Sequence, residues 1–326
     1  MAESNGVSLV EHRDVPKISK KKTRYDVIII GAGPAGYTAG IYCSRARYET
    51  LIISGVLPGG QLVNTTEVEN YPGFAKGIMG PDLMIDMKAQ AERMGTFIVD
   101  DEVVNVDFRE KPFKVLTAEE EYEGRAVIIC TGANPRKLGV KGEAELSGKG
   151  VSYCATCDGA FFRNQEILVV GGGDSAMEEA TFLTKFASKV HVSHRRDKLR
   201  ASKVMQEHAY DNPKIKFHLN TQVESINGES RVSNVVLKNS NGERETLNIG
   251  GVFVAIGHIP NTEMFVGQID MDKQGYILQK DHTQTSITGI FTAGDVHDSR
   301  YRQAVTAAGF GCMAALDVDR YLEENP

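Results

Sequence analysis

No stretch of this 326-residue chain approaches the roughly 18 consecutive apolar residues that a membrane-spanning helix needs. The sequence therefore offers nothing with which to cross a bilayer. A basic surplus is missing too. The formal net charge is -6, whereas a nucleic-acid partner asks for a positive surface to meet its phosphates. The first two dozen residues lack the apolar core of a secretory signal, and Glu3, Glu11 and Asp14 fit an organelle transit peptide poorly. Residues 1–24 read as a flexible, solvated arm and the protein as cytoplasmic. Structural disulfides do not persist in a reducing cytosol, so a close pair among the five cysteines points to catalysis or metal binding. Low-complexity linkers are also absent, so any hinge between domains has to be short.

What is present is the balance of an ordinary globular protein, 41% apolar and 25% charged, in a chain long enough for two domains. A short β-branched run, Tyr25 to Ile30, turns at once into Gly31-Ala32-Gly33-Pro34-Ala35-Gly36 and a helix-compatible stretch through Arg47. A second apolar run, Thr50 to Ile53, completes a βαβ unit. The same grammar returns further along. Ile167 to Val170 is the strand, Gly171-Gly172-Gly173-Asp174-Ser175-Ala176 the turn, Met177 to Phe186 the helix and Lys189 to Ser193 the next strand. Two dinucleotide-binding units in one chain predict an α/β fold of two Rossmann-like domains. Val127 to Ala133 and Gly251 to Gly257 read as crossings between them, Gly289 to Asp295 as one more strand, and Gln303 to Leu322 as a final helix. The first domain would then be discontinuous, 25–132 and 262–326, with the second, 133–261, inserted into it.

The first glycine cluster has the parts a pyrophosphate site requires. Gly31 permits the tight turn, Gly33 lets backbone amides approach an anion, and Gly36 allows close helix–strand packing, with the helix N-terminus turned to the ligand. The acidic residue expected about twenty positions on, to hold a ribose, is missing; Ser54 and Gly55 stand there. Gly59-Gly60-Gln61 supplies a second amide-rich loop. The second cluster has the opposite character: where an NAD site places a carboxylate, this chain has His194-Arg195-Arg196 and then Arg200. Guanidinium groups there fit a 2′-phosphate, hence NADPH over NADH.

Just ahead of the second nucleotide strand lies Cys154-Ala155-Thr156-Cys157-Asp158-Gly159. Two cysteines at this spacing can close a small, readily reduced disulfide. Zinc is the rival, but Cys43, Cys130 and Cys312 are isolated, with no second CxxC and no paired histidines nearby. These three read as buried apolar side chains. Asp158 is a candidate acid or base for a nascent thiolate if burial raises its pKa, with turn or helix capping as its plain alternative.

Taken in order, Gly31 to Gly36, Gly59-Gly60-Gln61 with Val68 to Gly73, Cys154 to Gly159, Gly171 to Ala176 with His194 to Arg200, and Gly294-Asp295 with Tyr301 to Ala304 resemble the low-molecular-weight thioredoxin reductases of bacteria, archaea, fungi and plants. The resemblance runs from Tyr25 to Leu322. It implies FAD in the first domain, held by Gly31, Gly33, Pro34, Ala35, Gly36, Ser54, Gly59, Gly60, Gln61, Asn70, Thr131, Gly132, Gly294, Asp295, Arg302, Gln303 and Ala304. It implies NADPH on Gly171, Gly173, Asp174, Ser175, Ala176, His194, Arg195, Arg196, Arg200, Ile256 and Gly257. Asp295 would accept from a ribityl hydroxyl, with an N-cap role as its alternative, and a helix starting near Gln303 would aim N–H groups at the flavin. The resemblance further implies a homodimer, with thioredoxin as the disulfide substrate reduced through Cys154 and Cys157. Because redox pair and nicotinamide site share one domain, that domain would have to rotate between half-reactions. A glutaredoxin-like or peroxiredoxin-linked partner is the nearest alternative, and a flavoprotein oxidase a weaker one. A nucleotide-binding protein without turnover is the alternative from another class.

Overall fold

The computed structural model describes residues 22–55 and 58–326, so most of the expected N-terminal arm lies outside the described residues. The first sheet begins with β1 (Arg24–Ile30), followed by α1 (Pro34–Arg45) and β2 (Thr50–Ile53). α2 (Gly80–Arg93) then leads to β3 (Phe97–Val99), β4 (Val103–Asp107), β5 (Phe113–Thr117) and β6 (Glu121–Ile129). β1 pairs parallel with β2 and β6, and β2 with β3. Parallel strands are covered on both faces, which is why they read as unbroken apolar runs instead of alternating ones. Ile28, Ile29, Ile52, Ile53, Ile128 and Ile129 are completely buried. Each contributes about 1.5–3 kcal/mol by leaving water.

The second unit consists of β7 (Val151–Ser152), α3 (Ala155–Asp158), β8 (Glu166–Val170), α4 (Asp174–Leu183), β9 (Lys189–His194), α5 (Lys203–Tyr210) and β10 (Ile215–Leu219). Next comes an antiparallel meander, β11 (Thr221–Asn227), β12 (Asn234–Asn239) and β13 (Arg244–Asn248), before β14 (Gly251–Val254) closes the sheet. The sheet order is β7-β14-β8-β9-β10, all parallel. The chain then returns to the first sheet. β15 (Ile290–Thr292) lies parallel to the far end of β6, with Phe291 opposite Ile128. The second unit is thus inserted into the first, as the repeated motif order implied.

The two expected crossings, Val127–Ala133 and Gly251–Gly257, run as strand only to Ile129 and Val254. Beyond them Ala133–Pro135 and His258–Pro260 pair antiparallel with each other, Pro260 opposite Ala133. α1 stops at Arg45, short of the expected Arg47, because Arg47 takes a left-handed φ of 70° that no helix continues. α4 begins at Asp174 and ends at Leu183, a shift of three residues towards the N-terminus from the expectation. The last helix, α6 (Ala304–Glu324), lies against α1 so closely that a Cβ on Gly311 would fall 2.2 Å from the Ala35 carbonyl oxygen. Among the described residues no helix is long and apolar enough to cross a membrane.

Candidate active site

Glycine is obligatory at the first turn. Gly31 has a φ of +107°, and a Cβ there would sit 2.4 Å from the Cys130 carbonyl oxygen; one on Gly36 would sit 1.9 Å from that of Gly31. Gly33 and Gly132, by contrast, face open space. No side chain caps the start of α1, and Pro34 opens it, so its first N–H groups are available to an anion. Around this end of the sheet, two polar groups among the described residues lack partners. One carboxylate oxygen of Asp295 and the Nε2 of His297 are buried without a hydrogen bond. Burial, aided by Asp298 and opposed by Arg302, pushes the Asp295 carboxyl up to about 7. A buried unpaired acceptor is costly unless a ligand satisfies it. Asp295 is not a helix cap; that position on α6 belongs to Gln303.

The other expected flavin-side residues gather here through hydrogen bonds. Gln61 donates to Asn134 (2.7 Å), Asn70 to Gln303 (3.3 Å), and Thr131 to the carbonyl of Asn261 (2.7 Å). Asn261 returns a bond to the Thr131 carbonyl (2.8 Å), a stitch between residues 130 positions apart that no motif announces. Ser54, standing where a carboxylate was missed, donates to Asp100 (3.0 Å) at the end of β3. An acidic group is therefore present after all, supplied from a neighbouring strand. Arg302 sits at a φ of 49° and donates to Nδ1 of His258, whose pKa burial and Arg302 together lower to about 4.

At the second turn a Cβ on Gly171 would meet the Ala255 carbonyl oxygen at 2.4 Å, and one on Gly172 the His194 ring at 2.3 Å. His194 is buried and donates to the Lys198 carbonyl (3.1 Å), and burial with the nearby arginines lowers its pKa. It shapes this loop. Arg195, Arg196 and Arg200 are exposed, and none forms an ion pair among the described residues. Asp174 has one carboxylate oxygen committed to the Ser202 amide (2.7 Å). Gly257 takes a φ of +99° directly beyond Ile256, and its carbonyl receives the Arg136 amide.

Cys154 and Cys157 form a disulfide, with Cα atoms 5.3 Å apart. Cys154 is half-buried and Cys157 exposed. Asp158 closes α3 without capping it. Burial raises its pKa, and a hydrogen bond from the Ser152 hydroxyl partly offsets that. Ser152 also accepts the Cys154 amide (3.1 Å), so one buried hydroxyl ties the acid to the redox loop. The disulfide rests against the first unit: Gln303, at the start of α6, reaches Thr156 (3.1 Å) and the Cys154 sulfur (3.8 Å). Cys43 and Cys130 are buried, their thiols pushed up by desolvation, whereas Cys312 is half-exposed, contrary to the expectation of a buried side chain.

Two nucleotide turns and a disulfide poised between them describe a known group of proteins. The family profile of pyridine nucleotide-disulphide oxidoreductases matches residues 25–311. The chain belongs to the pyridine nucleotide-disulphide oxidoreductases. A thioredoxin reductase of Streptomyces clavuligerus is 54% identical over 302 residues, covering 91% of this chain and 94% of its own. The solved thioredoxin reductase of Giardia duodenalis, 44% identical, superposes with a TM-score of 0.89 over 93% of this chain and all of that one. The thioredoxin reductase of Lactococcus lactis in its FR conformation, also 44% identical, gives 0.63 over 92% of this chain and 99% of its own. As a pyridine nucleotide-disulphide oxidoreductase, the protein is an NADPH-dependent flavoprotein that uses FAD. The orphaned Asp295 oxygen and the open cradle at Gly33 fit FAD; the uncompensated arginines beyond β9 fit a phosphorylated nucleotide.

Proposed function

We propose that the protein is a thioredoxin-disulfide reductase, in which NADPH electrons reach thioredoxin through FAD and the Cys154–Cys157 disulfide. The observation that carries this reading is the position of that disulfide, on the NADPH unit yet in contact with Gln303 of the FAD unit. FAD, when bound, accepts a hydride equivalent from NADPH and passes two electrons on. The chain does the remaining work. Gly31 to Gly36 hold the flavin nucleotide, with Asp295 at its ribityl, and the exposed Arg195, Arg196 and Arg200 hold the NADPH 2′-phosphate. Asp158, kept protonated to higher pH by its burial, gives and takes the proton that accompanies opening of the disulfide.

With the disulfide against the flavin side, the nicotinamide has no simultaneous access, so the NADPH unit, 133–261, rotates between half-reactions. Two structures of equal identity to this chain superpose at 0.89 and 0.63, which supports a difference in how like units are set, not in their folds. The working form is a homodimer. The chemistry suits a reducing compartment such as the cytoplasm, where thiols are kept reduced.

The test is NADPH-driven reduction of thioredoxin by the purified protein, with NADH alongside. Turnover should favour NADPH and vanish in Cys157→Ser, while reduction of an artificial dye persists. Arg195→Ala with Arg196→Ala should weaken NADPH far more than NADH. A flavin-loaded enzyme that reduces glutaredoxin-like proteins but not thioredoxin would move the assignment to the alternative partner.

A further inference from the structure

Three polar side chains form a line that ends on one sulfur of the redox pair. Asn70 Nδ2 donates to Gln303 Oε1 (3.3 Å), and Gln303 Nε2 donates to Thr156 Oγ1 (3.1 Å). Thr156 Oγ1 lies 3.4 Å from Cys154 Sγ. A disulfide sulfur carries no hydrogen, so the threonine hydroxyl is the donor. The direction of the amide is fixed independently. Gln303 caps α6 by accepting the Thr306 backbone N–H at its oxygen, which leaves the nitrogen facing Thr156. Each donor in such a line polarises the next. Two further N–H groups aim at the same sulfur, from Gln303 itself (3.8 Å) and from the Cys157 backbone (3.3 Å). Among the described residues, none of these donors addresses the Cys157 sulfur.

We propose that Asn70, Gln303 and Thr156 form a directed hydrogen-bond chain that stabilises Cys154 as the thiolate when the disulfide opens. The proposal rests on the reading of Cys154–Cys157 as the redox centre. Two electrons, supplied from NADPH through FAD, break the S–S bond; one proton ends on the Cys157 sulfur, and Cys154 departs as the anion that receives the donors. Thr156, which touches the reacting sulfur, is a catalytic residue in this sense; Gln303 and Asn70 act through it. The chain crosses the boundary between the units at one bond, Gln303 to Thr156. Rotation of the NADPH unit breaks that bond, so Cys154 is best stabilised where it accepts electrons and least where it has to give them up. The charged groups flanking it are Asp158 within α3 and Arg302 beside Gln303, and neither bonds the sulfur; Asp158 bonds Ser152, and Arg302 bonds His258.

The readout is the acidity of the sulfur, taken on the FAD-loaded, dithiol form of the full chain. Alkylation by iodoacetamide across pH, with Cys154 followed by mass spectrometry, gives its apparent pKa; equilibration in glutathione buffers gives the disulfide's reducibility. Thr156→Val should raise the Cys154 pKa by about one unit, a roughly tenfold loss of thiolate at a given pH below it. The disulfide should become about tenfold harder to reduce, close to 30 mV. Gln303→Glu, which keeps an acceptor for the α6 cap but offers Thr156 an oxygen, should do the same, and the double variant should be no worse than either alone. Thr156→Ser should behave as the parent. An unchanged alkylation profile in Thr156→Val, or additive effects in the double variant, would overturn the chain. Failure of the redox-centre reading shows elsewhere, as thioredoxin reduction that survives Cys157→Ser.

Discussion

Burial decides the charge of single residues around the redox pair. Desolvation lifts Glu179 and Asp295 to about 7 and lowers His258 and His297 to about 4, so near neutral pH the two imidazoles are uncharged and the two carboxyls lie close to their midpoints. Arg302 is the cation acting on Glu179, Asp295 and His258. Asp158 follows the same rule: burial raises its carboxyl, partly offset by the Ser152 hydroxyl, which favours its holding a proton. Asp158→Asn should therefore slow reduction of the disulfide by roughly 10²-fold or more at neutral pH and leave dye reduction by NADPH intact. Rapid-mixing absorbance of the flavin after NADPH addition checks this, and an unchanged rate of reoxidation by the disulfide would remove Asp158 from the proton path. Asp158 could be singled out in the sequence as a candidate because it adjoins the cysteines. Glu143 could not. It is 3% exposed and accepts the Leu138 and Gly139 amides (2.8 and 2.7 Å) and the Tyr153 hydroxyl (3.1 Å), fastening the neighbour of Cys154. Nothing in a lone acidic residue announces that a loop will fold around it.

At the level of elements, what the sequence conveyed clearly was the strand–glycine–helix turns, because a Cβ at Gly31, Gly36 or Gly171 would strike backbone. The meander β11 to β13 passed unnoticed, since half-exposed strands such as Arg244–Asn248 carry little apolar pattern. α6 was anticipated, but its two faces were not. One, with Ala307, Ala308, Gly311 and Ala315, packs on the first unit, while Val305, Met313 and Leu316 line the other, each exposed by 42–47%. Gly309 lies among them with nothing near it. An apolar stripe three and four residues apart on an exposed helix is suited to a second copy of the same helix. Met313→Glu with Leu316→Glu should turn the proposed homodimer into a monomer in light scattering, with helical circular dichroism unchanged. A dimer that survives both charges would mean that another face holds it.

For the whole molecule, motif order predicted the insertion, and β15 returning to β6 is its structural counterpart. The setting of the units was illegible, because it depends on contacts such as Gln303 to Thr156 between residues 147 positions apart. Rotation gives a sharp expectation. Protein crosslinked between its units in the present setting should still pass electrons from dithionite to the disulfide, yet lose multiple turnover with NADPH. Full turnover in the locked protein would mean that both substrates reach the flavin without movement.

The strands Ala133–Pro135 and His258–Pro260 have a consequence of another kind. They carry the chain into and out of the inserted unit side by side, with Ala133 opposite Pro260. Directly opposed residues in an antiparallel pair lie about 5 Å apart. The insert therefore leaves and rejoins its host at a single point, like a graft on one bud. A two-stranded stalk of this kind transmits twist but has no slack for sliding. It also marks where the graft could be cut, since a short bridge from 132 to 262 would span the gap at the foot of the two strands.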